Sequence, residues 1–217
     1  MSKYEFVIYD VDGTLIDPIQ GVKHALDIMA DQLGWRRITV QEMEGVIGPP
    51  MKKTLMRIYG LSETDATKFV SLFRKIYTEE TLFECVMYPG VLEMMRKIHE
   101  SGYKIGIATY KQTECATAIV RHYGMTEYVD VVSGDSKNST LTKADIIKRC
   151  IEELGVDDLK KVLMVGDTIA DYEGSQIVGV DFCGVTYGYG FDNDCKDNKD
   201  IRLIQYPLEL LELEEMK

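Results

Sequence analysis

The chain has 217 residues, of which 45% are hydrophobic and 28% charged, and its formal net charge is −11. That length suffices for one sizeable core, or for a core with an inserted subdomain, and the composition is that of an ordinary globular protein. The acidic balance argues against nucleic acid or an anionic membrane surface as partner, and no run is apolar for long enough to span a bilayer. Met1-Ser2-Lys3-Tyr4-Glu5 leads straight into an apolar run, so a cytoplasmic protein without a signal peptide is expected. The five cysteines, Cys85, Cys115, Cys150, Cys183 and Cys195, are odd in number and widely spread. They read as free thiols, with neither a disulfide framework nor a zinc site.

The first element is Phe6-Val7-Ile8-Tyr9, a short buried strand by its apolar run, and it stops at Asp10-Val11-Asp12-Gly13-Thr14. Two carboxylates this close are costly unless a cation lies between them or one holds a proton. The pair suits a nucleophile beside a proton carrier, with a hard metal ion holding the site together. Gly13 permits a sharp turn and a close ligand approach, although a solvated turn after a strand is the plainer reading. Residues 17–84 then read as helical. Gly21, Val22, Ala25, Leu26, Met29 and Leu33 recur at helical spacing, Gly34 breaks the run, and Gly48-Pro49-Pro50 breaks it again. A short helix with Leu55, Ile58 and Tyr59 ends at Gly60. Ser62 and Asp65 read as an N-cap for a helix carrying Ala66, Phe69, Val70, Phe73 and Ile76 on one face. With no strand signal, residues 18–85 are expected to form a separate helical subdomain.

After the turn Tyr88-Pro89-Gly90, strands and helices alternate. The pattern predicts a helix over 91–100, a strand over 103–108, a helix near 114–123 and a strand over 128–132. A helix over 143–154 and strands over 162–165 and 181–185 follow, and 208–216 reads as a short amphipathic closing helix. This alternation implies an α/β fold with a mainly parallel sheet and helices on both faces, built from residues 1–17 and 86–217. Such sheets bind ligands beyond the carboxyl ends of their strands. Thr109 lies at one such end and can donate to a phosphate oxygen, or cap the next helix. Ser139-Thr140-Leu141-Thr142 precedes Lys143, which opposes the macrodipole in a first helical turn unless an anion is near; otherwise it is a solvated surface lysine. The strand over 162–165 ends in Gly166-Asp167-Thr168-Ile169-Ala170-Asp171, a second glycine-plus-carboxylate end. His24, His99 and His122 sit in helical patterns and read as packing or surface residues.

Taken in order, these elements resemble the four motifs of the haloacid dehalogenase superfamily of phosphohydrolases. Asp10-x-Asp12-Gly13-Thr14 resembles the first motif, Thr109 the second, Lys143 the third and Gly166-Asp167-x-x-x-Asp171 the fourth, over a stretch from about Phe6 to Gly190. Tyr88-Pro89-Gly90-Val91, Gly179-Val180 and Gly184-Val185-x-Tyr187-Gly188-Tyr189-Gly190 are similar to the branch that includes phosphoglycolate phosphatases. The helical insertion resembles that branch's cap domain, and Ile47-Gly48-Pro49-Pro50 a cap loop of phosphoglycolate phosphatase-like or nucleotidase-like relatives. Tyr110 stands where Ser or Asn often follows the second-motif threonine, and Gln112 and Thr142 stand where proline is frequent.

The resemblance implies a Rossmann-like core with a helical cap at 18–85. Asp10 would attack phosphorus and form an aspartyl-phosphate; Asp12 would protonate the leaving oxygen and then activate water. Mg2+ would sit among Asp10, the backbone carbonyl of Asp12 and Asp167, while Thr109 and Lys143 bind the transferring phosphoryl group. Asp171 would hold Lys143 or bind a metal water; a helix N-terminal acid favoured by the dipole is the alternative. Dehalogenase members lack an acid at the Asp12 position, so its presence favours phosphoryl chemistry. The implied activity is a Mg2+-dependent, phosphoglycolate phosphatase-like phosphatase for a small soluble phosphomonoester, acting as a monomer without nucleic-acid or membrane partners. A β-phosphoglucomutase-type sugar-phosphate mutase, a nucleotidase-like phosphatase and a non-catalytic binding protein on the same fold are the alternatives.

Overall fold

A computed structural model describes residues 2–43, 45–135, 141–191 and 201–216. The chain divides into two units, Met1–Ile16 with Met87–Lys217, and Asp17–Val86. The strands in chain order are β1 (Phe6–Tyr9), β2 (Ile16–Asp17), β3 (Val86–Met87), β4 (Lys104–Gln112), β5 (Val131–Asp135), β6 (Val162–Gly166), β7 (Asp181–Val185) and β8 (Arg202–Ile204). Six of them form the main sheet in the order β5-β4-β1-β6-β7-β8, while β2 and β3 pair separately. Every pairing in the main sheet is parallel.

All four residues of β1 are buried. Successive side chains of a strand point to opposite faces, so both faces of the sheet are covered at its centre, as a parallel sheet requires. On one face Phe6, Ile8, Val162 and Met164 pack with Ile146, Ile147, Cys150 and Ile151 of α6 (Lys143–Leu154). Val91, Met94, Met95 and Ile98 form the buried stripe of α4 (Val91–Glu100), at the spacing expected of a helix with one apolar face. This unit also contains α5 (Thr113–His122) and α7 (Ile169–Val178). Tyr9 lies opposite both Ile107 and Val165, and the Asp10 N–H donates to the Val165 carbonyl at 3.0 Å. The carboxyl ends of β1, β4 and β6 therefore finish at one rim, where ligand sites of such sheets lie.

The second unit contains α1 (Ile19–Leu33), α2 (Met51–Tyr59) and α3 (Glu63–Ile76), followed by a π-type turn over Tyr77–Thr81. The Ser62 hydroxyl caps α3 by accepting from the Asp65 N–H at 3.1 Å. Trp35 packs against Tyr59 and Phe69, with ring centroids 4.7 and 4.6 Å away. Among the described residues no helix is long and apolar enough to cross a membrane.

Some boundaries differ from the sequence pattern for local reasons. The strand expected to stop at Ala108 runs on to Gln112, and its register against β5 shifts between these two residues. β5 starts at Val131 because the N–H groups of Tyr128 and Val129 donate to the Met125 carbonyl in a turn, at 3.0 and 3.2 Å. β8 is short, and no alternation marks it in the sequence. The region 208–216 is two 3-10 turns, Pro207–Glu212 and Glu214–Met216, because Leu213 between them is extended at ψ 134°. Cys115, Cys150 and Cys183 are buried and Cys85 is half-buried, none of them in a disulfide. Cys195, Ser139 and Thr140 lie outside the described residues.

Candidate active site

Two helix starts deliver the polar groups to the rim. Thr142 caps α6 in a reciprocal arrangement with Asp145, which sets Lys143 as the first helical residue. The Tyr110 hydroxyl accepts from the Lys143 backbone N–H at 3.0 Å. Thr168 caps α7 in the same way with Asp171: one carboxylate oxygen, Oδ2, accepts from the Thr168 N–H at 3.0 Å and from its hydroxyl at 2.6 Å. The other oxygen of Asp171 lies 2.6 Å from Lys143 Nζ, which also reaches Asp10 Oδ1 at 2.7 Å. Gly166 makes room for this, since a methyl there would sit 2.5 Å from Asp171 Cγ.

Asp167 is fully buried, and its Oδ2 accepts from the Tyr189 N–H at 2.8 Å. Gly13, at φ 88°, both turns the chain after β1 and leaves the space that the Asp167 carboxylate fills. The Thr14 hydroxyl donates to Asp167 Oδ1 at 3.4 Å, and the Tyr187 hydroxyl donates to the Thr14 carbonyl at 3.1 Å. Carboxylate oxygens of Asp10, Asp167 and Asp171 all lie within 4.8 Å of one another. Asp12 stands apart from this trio: its Oδ2 is 3.0 Å from Lys111 Nζ. Thr109 is buried, and its hydroxyl oxygen accepts from the Lys111 backbone N–H at 3.2 Å. Asp10, Lys143, Asp167 and Asp171 thus meet directly, with Asp12 and Thr109 joined to each other through Lys111. Among the described residues His24, His99 and His122 lie elsewhere, paired with Glu84, Tyr128 and Tyr123 respectively.

Burial pushes the Asp10 carboxyl up to about 6; Lys143 opposes the shift and Asp171 and Asp12 add to it. Burial also raises the Asp167 carboxyl well above the usual range, reinforced by Asp10 and Asp171. For Lys143, burial alone favours the neutral amine, but the carboxylates of Asp10 and Asp171 outweigh it and hold the ammonium charged. Three buried carboxylates around one ammonium leave an excess of two negative charges when all are ionised. That excess, on hard oxygen donors, fits a divalent cation such as Mg2+. Asp10 and Asp167 fit it best, since both oxygens of Asp171 are already engaged by Lys143 and Thr168.

The sequence reading missed Lys111 and gave Tyr110, Tyr187 and Tyr189 no structural role. Lys111 lies two residues after Thr109 in the irregular last stretch of β4, where the register against β5 shifts, beyond the Ala108 at which the sequence pattern ends the strand. Tyr110, noted only as an uncommon residue at its position, supports the start of α6.

A model of the haloacid dehalogenase-like hydrolases matches residues 7–185. A 5'-nucleotidase of Pseudomonas aeruginosa is 28% identical over 195 residues, covering 89% of this chain and 88% of its own. A phosphoglycolate phosphatase of Nitrosococcus oceani is 24% identical over 220 residues, covering 98% and 97%. The crystal structure of a predicted phosphatase from Clostridium acetobutylicum superimposes with a TM-score of 0.88 at 26% identity, covering 98% of this chain and all of the other. The chain belongs to the haloacid dehalogenase-like hydrolase family, and its place among these relatives marks it as a phosphatase.

Proposed function

We propose that the protein hydrolyses a small soluble phosphomonoester with Mg2+, through an aspartyl-phosphate formed on Asp10. The observation that carries this reading is the setting of Asp10. It is buried at the end of the central strand, ion-paired to Lys143 at 2.7 Å, with oxygens of Asp167 and Asp171 within 4.8 Å. A carboxylate kept ionised by a buried ammonium, among donors for a hard cation, has the character of an activated nucleophile.

In the first half-reaction an Asp10 oxygen bonds to phosphorus as the bond from phosphorus to the leaving oxygen breaks, and Asp12 gives that oxygen its proton. In the second, a water oxygen bonds to phosphorus, its proton passes to Asp12, and the bond between Asp10 and phosphorus breaks. Both carboxyl groups are then restored and inorganic phosphate leaves. Lys143 and Thr109 hold the transferring oxygens, and Asp171 holds Lys143. Asp10, Asp167 and the main-chain carbonyl of Asp12 would hold Mg2+, which when bound offsets the phosphoryl charge. The insertion 18–85 serves as the cap that selects substrate, in a monomeric cytoplasmic enzyme.

Similarity to the N. oceani phosphoglycolate phosphatase over nearly all of both chains supports phosphoglycolate as the first substrate to test. The P. aeruginosa 5'-nucleotidase supports nucleoside monophosphates as the second. Phosphate release should be measured with Mg2+ on phosphoglycolate, nucleoside monophosphates, sugar phosphates and p-nitrophenyl phosphate. Asp10→Asn is expected to lose about 10³-fold or more on every substrate that reacts. Undiminished release by Asp10→Asn would refute the nucleophile. A need for a sugar bisphosphate without net phosphate release would replace hydrolysis by a mutase reaction.

A further inference from the structure

Resting on the acid–base reading of Asp12 just given, we propose that Lys111 is a positioning residue. Its ammonium clamps Oδ2 of Asp12 and leaves Oδ1 as the oxygen that gives up and takes back the proton. Three observations carry this. The Lys111 side chain is 4% exposed and its Nζ lies 3.0 Å from Asp12 Oδ2. Oδ1 of Asp12 is buried and has no hydrogen-bond partner among the described residues. The Lys111 main chain is itself anchored, its N–H donating to the buried Thr109 hydroxyl at 3.2 Å.

The terminal torsion of an aspartate is soft and roughly two-fold, so an isolated carboxyl presents either oxygen over a wide arc. A charge-assisted hydrogen bond from a buried lysine removes that freedom and distinguishes the two oxygens. The unpartnered Oδ1 then carries the whole exchange. It donates its proton to the leaving oxygen as the ester bond breaks, and accepts one from water as the water oxygen bonds to phosphorus. Since Thr109 and Lys111 both belong to the last residues of β4, a single strand end both binds the phosphoryl group and aims the acid.

The test compares Lys111→Met, Lys111→Arg, Asp12→Asn and the double variant Lys111→Met/Asp12→Asn, in the full chain with Mg2+. Two substrates are used: phosphoglycolate, whose alkoxide leaves poorly, and p-nitrophenyl phosphate, whose leaving group needs little protonation. Lys111→Met should lower kcat on phosphoglycolate about 10²-fold with KM little changed, the loss expected when an acid–base group is misplaced. On p-nitrophenyl phosphate the first turnover should stay fast and be followed by a slow steady state, because hydrolysis of the phosphoenzyme still needs the aimed base. Lys111→Arg should recover most of the loss. In the Asp12→Asn background Lys111→Met should cost less than about two-fold.

Independent, additive losses from Asp12→Asn and Lys111→Met would overturn the proposal and leave the acid–base role of Asp12 standing. So would a rise in KM at unchanged kcat, which would make Lys111 a substrate ligand. Full activity of Asp12→Asn on phosphoglycolate would remove the acid–base reading, and the proposal with it. If Lys111→Met does not fold, as judged by circular dichroism, Lys111→Gln gives the same comparison.

Discussion

Lys143→Met probes the electrostatics of the buried cluster, because methionine keeps most of the length of lysine and removes its charge together with the hydrogen bonds the ammonium donates. Lys143 is 4% exposed and its ammonium is shared between Asp10 at 2.7 Å and Asp171 at 2.6 Å. Removing one partner of a buried ion pair destabilises by about 3–5 kcal/mol, because the other charge stays buried without compensation. For a chain of this length each kcal/mol moves Tm by about 2–4 °C, so the metal-free variant should melt about 6–20 °C lower at pH 8. The pH dependence has a definite sign. Burial already lifts Asp10 to about 6, against an ordinary value of 3.8, and Lys143 opposes that rise. Without the lysine the folded-state value climbs further. Between the unfolded and folded values the native state holds the extra proton, so stability falls as pH rises through that window. The gap between wild type and variant should therefore be wide at pH 8 and shrink towards pH 5, where the carboxyls take up protons. Urea unfolding in EDTA at the two pH values, followed by circular dichroism, measures it. A loss below about 1 kcal/mol at pH 8, or a gap that widens on acidification, would refute the reasoning.

Other perturbations probe neighbouring parts of the rim. In metal-free buffer Asp167→Asn should be relatively more stable than wild type at pH 8 than at pH 5, since burial and the adjacent carboxylates raise the Asp167 pKa and make its ionisation costly. Mg2+ at about 100 times its Kd should stabilise the wild type by about 2.7 kcal/mol, and Asp167→Asn should lose most of that gain in a thermal-shift titration. Gly166→Ala places a methyl 2.5 Å from Asp171 Cγ, which should cost about 1–3 kcal/mol in urea unfolding and lower kcat by displacing the group that holds Lys143. Tyr110→Phe removes the acceptor for the Lys143 N–H and should cost about 0.5–1.5 kcal/mol, with little change in the pH response of Asp10.

What the sequence disclosed depended on whether a signal was local. Strong periodicity located α4 and α6, and a continuous apolar run located β1, because each element buries a face that its own residues spell out. Glycine next to an acid at two strand ends marked Asp10, Asp12 and Asp167, because close approach of carboxylates to the main chain requires the missing side chain. Lys111 gave no comparable signal. A lysine after an apolar strand reads as solvated, and its burial depends on Asp12, 99 positions earlier, and on a β4 that continues past Ala108. The tail at 208–216 misled for the opposite reason: its leucines fit a helical period, yet extended Leu213 splits it into two turns. Local pattern thus reports what each element buries on its own, whereas the pairing of charges across strand ends is set by the sheet order. β4 and β6 flank β1, and that order brings Lys111 to Asp12 and Asp167 to Asp10.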